Sequence, residues 1–162
     1  MSHLIQYVTF GVADELFAAP VERIREILDL RPISHLPRTP EAVLGIIDLR
    51  GATVPVLDLR KTLRMPPAAD SDNTRIVVLS IPRKGGETLL ALKTDRVFEV
   101  TPLDEGKLEP PPEVGPGWSE EVIAGVGRRN GAFVTVLDLE RLFAEVDLTA
   151  VAKAAAQTSE AA

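Results

Sequence analysis

The chain has no cysteine. That removes disulfides, thiolate metal ligands and a cysteine nucleophile, and it fits a reducing cytoplasm. Aromatic residues are scarce, at 4%, and 18 Lys and Arg face 24 Asp and Glu, for a formal net charge of −6. Nucleic-acid binding relies on cations that neutralise phosphates and on rings that stack against bases, so no nucleic-acid partner is expected. No apolar run approaches the roughly 20 residues needed to span a bilayer as a helix. The first residues, MSHLIQYVTF, lack a basic segment followed by an apolar core, so no secretory signal and no direct membrane insertion are expected. His3 and His35 stand far apart, with no H-x₃-H or H-E-x-x-H spacing, so no metal is expected. G-x-S-x-G elbows and phosphate-binding loops ending in Lys-Ser/Thr are also missing. The expectation is a non-enzyme without cofactors.

What is present is an ordinary globular balance. Hydrophobic residues make up 45% and charged residues 26% of 162 residues, enough to bury a real core. Residues 4–12 form the first expected strand, and a turn at Asp14-Glu15 leads to a second at residues 16–19. Pro20 stops that strand and suits the start of a short helix. Val21, Ile24 and Ile27 or Leu28 have helical spacing, while Ile24 to Ile27 suits an extended strand equally well. The expectation is a helical turn over 21–24 and then a strand through Leu30. Pro32, Pro37 and Pro40 make a stiff connection. The strands GIIDLRG and TVPVLDL follow, with a turn at Gly51-Ala52 between them in which Gly51 suits a positive φ. Pro55 implies an open edge or a bulge, and Asp58 caps a helical turn over 59–63. The polar stretch 65–73 is the best internal boundary.

The second half repeats this order. Residues 74–81 and 88–92 form strands around Gly85-Gly86, and residues 95–100 match 22–27. Then come GVGRRNG, AFVTVLDL and a short helix over 140–143, followed by an Ala-rich tail expected to be helical to about residue 156. Residues 45–63 align with 125–143 without a gap, and 8 of the 19 positions are identical, including V-x-VLDL. Residues 16–27 align with 89–100 through Leu16/Leu89, Ala18/Ala91, Arg23/Arg96 and Glu26/Glu99. Two copies of a unit of about five short strands account for this. Each is too small to bury much surface alone, and barrel closure removes exposed strand edges. The expected divisions are a first barrel over 1–69, whose first strand might pair with the second barrel, a second barrel over 70–146, and a helix with a disordered tail over 147–162.

The copies differ at one suggestive place. Arg50 ends GIIDLR, whereas its counterpart is Asn130. Glu26 lies in the neighbouring segment and could pair with it. An exposed ion pair stabilises little, and Arg is favoured at binding hot spots. Asp58 and Asp138 sit where helix caps belong, which accounts for them without acid–base chemistry.

The set V-x-x-I-x-E-I over 21–27, Leu36-Pro37, P-x-x-V-x-G over 40–45 and D-L-R-G-x-x-V-P-V-L-D-L-R over 48–60 resembles the CheW family, whose usual N-L-R-G reads D-L-R-G here. The resemblance covers about residues 5–146. It implies a mostly β fold of two packed SH3-like five-stranded barrels with short helices. It also implies a scaffold that couples methyl-accepting chemoreceptors to the regulatory domain of the histidine kinase CheA, recruited from the cytoplasm to receptor arrays. In that family receptor helices dock near the groove between barrels and kinase contacts use barrel ends. By this resemblance Glu26, Arg50, Ile24, Gly45 and Gly51 are the protein-binding residues. The competing reading is a small-ligand or enzymatic domain with a pocket between the barrels.

Overall fold

The computed structural model describes residues 5–37, 39–83, 86–110 and 122–144. Its strands are β1 (Tyr7–Val12), β2 (Glu15–Pro20), β3 (Ile24–Asp29), β4 (Val43–Leu49), β5 (Ala52–Asp58), β6 (Arg75–Arg83), β7 (Gly86–Thr94), β8 (Arg96–Thr101), β9 (Ile123–Arg129) and β10 (Ala132–Leu137). Helix α1 (Leu59–Thr62) follows β5 and α2 (Leu139–Ala144) follows β10. The expected helical turn after Pro20 is a single 3₁₀ turn, Val21–Arg23, and the extended alternative takes the rest as β3. Asp58 caps α1 as expected, accepting from the Arg60 amide at 3.0 Å, and Asp138 accepts from the Arg141 amide at 3.1 Å. Pairing of β5 with β7 begins at Val56, so Pro55 needs no N–H on that side. The Gly85 half of the expected Gly-Gly turn and the C-terminal helix fall outside the described residues.

The strands form two five-stranded sheets. The first has the order β8-β1-β2-β10-β9 and the second β3-β6-β7-β5-β4. Replacing each strand of the first by its repeat partner gives the second. The same internal pairing recurs in both, with Val136 beside Ala18 in one and Val56 beside Ala91 in the other, each parallel. The duplication is therefore real but interleaved. Each sheet takes an N-terminal hairpin from one copy and the remaining strands from the other. A cut after residue 69 does not separate the sheets, because β1 and β2 belong with β8 to β10. The reason lies in the joints. One residue, Asp95, separates β7 from β8, and a 3₁₀ turn separates β2 from β3. A hairpin commonly needs at least a two-residue loop. The chain instead runs on into the other sheet.

Packing follows from this crossing. Ile76 and Val78 of β6 join the interior of the second sheet's barrel with Ile47 and Val54. Val77, Leu79 and Ile81, on the opposite face, join a larger core that also holds Val8, Phe10 and Phe17 of the first sheet. Both faces of β6 are thus buried, which is why its sequence is a continuous apolar run rather than an alternation. Leu142 and Phe143 of α2 close the shared core. Each fully buried side chain of this kind stabilises by roughly 1.5–3 kcal/mol. The core between sheets is therefore as much a determinant of the fold as either barrel interior.

Candidate functional site

The two-residue connection between β4 and β5 is Arg50-Gly51, and both residues have positive φ, +50° and +89°. The equivalent turn between β9 and β10 is Asn130-Gly131, with φ of +53° and +83°. Both positions of this mirror-image turn lie in the left-handed region, where Asn-Gly is the favoured pair. Arg50 has a Cβ and no local hydrogen-bonding group to offset the strain. The Gly51 amide is held by Asp48 Oδ1 at 2.8 Å.

This strained turn sends Arg50 towards β3. Its Nη1 and Nη2 donate to Glu26 Oε1 and Oε2 at 3.3 and 2.6 Å. Strands β3 and β4 are the two edges of the second sheet, so the pair bridges the seam between them. The Arg50 side chain stays 73% exposed. Its hydrogen bonds hold the Glu26 carboxyl below the usual carboxylate range, with the charges of Arg50 and Arg31 assisting. The result is a planar cation fixed in orientation and presented to solvent.

Ile24 is half-buried and packs on the shared core. A bulge at Arg25 lets Ile24 lie opposite Leu79, while Ile27 lies opposite Val77. Leu79 and Val77 belong to the core between sheets, so Ile24 and Ile27 mark its solvent margin. Ile27 remains 40% exposed. The other sheet has the same arrangement on β8, where Val97 pairs with Phe10, Val100 pairs with Val8, and a bulge lies between them. Val100 is 56% exposed. The two edge strands β3 and β8 thus carry equivalent apolar rims at the margin of the shared core, Ile24 with Ile27 and Val97 with Val100. Of these four residues, Ile24 alone was expected among the protein-binding residues. The alignment of 16–27 with 89–100 already carried the other three.

Gly45, expected among the protein-binding residues, is buried. A Cβ there would come within 2.0 Å of the Ser34 carbonyl oxygen. Ser34 and Ile46 exchange backbone hydrogen bonds of 2.9 Å across this point. Gly125 plays the same part beneath Glu109, whose carbonyl would lie 2.7 Å from an added Cβ. A glycine required in both copies by backbone approach is architectural. Gly51 is exposed, with open space around it, and is required for its positive φ.

A cavity of about 900 Å³ lies elsewhere, beside Thr9, Phe98, Glu99, Arg129 and Asn130. Two of its lining residues, Glu99 and Arg129, pair with each other at 3.2 Å. Among the described residues no group of three or more His, Asp or Glu is placed to hold a metal ion. No described helix is long and apolar enough to cross a membrane.

The family model described as "CheW-like domain" matches residues 6–147. A probable chemotaxis protein CheW of Rhizobium etli is 28% identical over 142 residues, covering 88% of this chain and 89% of that protein. A chemotaxis protein CheW of Treponema pallidum is 28% identical over 151 residues, covering 91% of this chain and 86% of that protein. Among solved structures, the scaffolding protein TtCheW from Thermoanaerobacter tengcongensis superposes with a TM-score of 0.77 at 31% identity, covering 90% of this chain and 95% of that one.

Proposed function

The chain belongs to the CheW-like domain family, and from that premise we propose that it couples chemoreceptor signalling tips to the regulatory domain of the histidine kinase CheA. As a chemotaxis coupling scaffold it acts by binding, and the residues that matter are those that present surface. The observation that carries the reading is the Arg50–Glu26 pair: an orienting carboxylate holds an exposed guanidinium at a strained turn that the second copy builds with Asn130. Strain retained at one copy of a duplicated turn is accounted for by contact with a partner. Arg50, Glu26 and Gly51 sit at the turn end of the second sheet's barrel and form the kinase-facing surface. Ile24 and Ile27, with Val97 and Val100, rim the cleft between sheets and receive the apolar face of a receptor helix. Gly45 supports the surface from beneath.

In this role the chain is brought to receptor arrays by its partners rather than by a membrane segment of its own. The test is calorimetric titration of the chain with a CheA regulatory domain and, separately, with a receptor-tip fragment. Ile27→Glu is expected to weaken the receptor fragment alone, and Arg50→Ala the kinase domain. Failure of the parent chain to bind either partner at micromolar concentration would sink the reading.

A further inference from the structure

The chain leaves one sheet for the other twice, and each crossing is fastened by an ion pair to a helix. At the β7–β8 crossing, Asp95 accepts from Arg60 of α1, Nε to Oδ1 at 3.0 Å and Nη2 to Oδ2. Asp95 Oδ2 also accepts from the Ala13 amide at 2.8 Å, and the Asp95 amide donates to the Gly11 carbonyl at 3.0 Å. Arg60 Nη1 donates to the Pro66 carbonyl at 2.6 Å. One carboxylate therefore ties together α1, the crossing and the β1–β2 turn. At the other crossing, Arg23 Nη2 meets Glu140 Oε1 of α2 at 3.2 Å.

The two fastenings occupy corresponding places in the repeat with the charges reversed. Arg60 corresponds to Glu140, and Asp95 lies one residue before the counterpart of Arg23. They are also unequal. The Arg60 side chain is 14% exposed and its pair is two-pronged, whereas Glu140 is 61% exposed and its pair rests on one contact. Each immediately precedes an edge strand that carries an apolar rim at the margin of the shared core: Asp95 precedes β8 with Val97 and Val100, and Arg23 precedes β3 with Ile24 and Ile27.

We infer that Arg60 and Asp95 are positioning residues for receptor docking: their clasp fixes the β8 rim at the angle to β3 that the cleft requires, without touching the partner. The Arg23–Glu140 clasp leaves the β3 rim freer to adjust. Bidentate geometry, more than charge alone, is what fixes the crossing, because a planar fork constrains direction and an ammonium does not. This inference rests on the cleft being the receptor site, and its test has a readout independent of any partner.

The absence of cysteine makes that readout direct. Ala52→Cys and Ala132→Cys place spin labels at equivalent exposed positions, one on each sheet. Pulsed electron paramagnetic resonance then reports the spread of distances between sheets. The parent is expected to give one narrow distribution. Asp95→Asn and Arg60→Lys, both still folded by circular dichroism, are expected to broaden or shift it. With unlabelled chains, receptor-fragment Kd rises by about tenfold in these variants, while kinase-domain Kd stays within about twofold. Arg60→Lys keeps the charge and guards against simple misfolding of Asp95→Asn. An unchanged distance distribution in both folded variants would overturn the inference, as would equal loss of affinity for both partners. Failure of the parent to bind a receptor fragment would instead strike the functional reading, and the distances would still decide whether the clasp orients the sheets.

Discussion

Arg50 occupies a left-handed position that Asn130 fills in the second copy, and the substitution between copies can be run in reverse. Arg50→Asn relieves strain at a turn that favours Asn-Gly. The thermal midpoint is expected to rise by about 2 °C, measured by scanning calorimetry, while kinase-domain affinity falls about tenfold. A fall in midpoint would mean that the pair with Glu26 outweighs the backbone strain. Asp95 makes a separate prediction. Hydrogen bonding from Arg60, helped by the Ala13 amide, holds its carboxyl below the usual range. A carboxyl depressed in the folded state contributes stability above its ordinary pKa and loses it as pH falls through the folded value. Asp95→Asn should therefore lose less stability than the parent on acidification from about pH 5 to pH 2. Denaturant midpoints at each pH would show this as a flatter acid limb.

At the scale of elements, the connection after β3 returns along β4 and pairs Ser34 with Ile46. Gly45→Ala forces a Cβ into the Ser34 carbonyl, at a cost on the order of 3 kcal/mol, visible in the chemical denaturation midpoint. Most elements were legible in the sequence. Strand β6 announced itself by its apolar run and α1 and α2 by their capping aspartates, whereas the turn expected at Gly51-Ala52 lies one residue earlier, at Arg50-Gly51, because Ala52 already pairs with Leu49. The pairing of Glu26 with Arg50 was open in the sequence as one alternative beside a solvated surface Arg, and only the resemblance favoured it. The role of Gly45 was not legible, because a motif glycine gives no sign of whether it lies at a surface or beneath one. The rim residues Ile27, Val97 and Val100 were half legible: alignment gave their equivalence, but only the bulges at Arg25 and in β8 set them opposite residues of the shared core.

At the scale of the molecule, the interleaving was the least legible feature. A repeat shows that two segments share a structure, but not with which copy each strand pairs. That was decided by joints too short to fold back, Asp95 above all. A direct consequence follows. Residues 1–69 and 70–162, produced as separate chains, are each expected to lack stable tertiary structure, since each lacks strands that its sheets require. Mixed in equal amounts they should recover the near-ultraviolet circular dichroism of the intact chain. Independent folding of either half would contradict the exchanged topology.

The proposed kinase-facing turn and the proposed receptor-facing rims must both be occupied together for the chain to couple its partners. The most direct test of the coupling role is therefore ternary-complex formation, measured by sedimentation velocity on the chain mixed with a CheA regulatory domain and a receptor-tip fragment. The account predicts a single faster-sedimenting species that contains all three, lost on Arg50→Glu through the kinase arm and on Ile27→Glu through the receptor arm. Two mutually exclusive binary complexes would contradict it, because a scaffold that holds one partner at a time couples nothing.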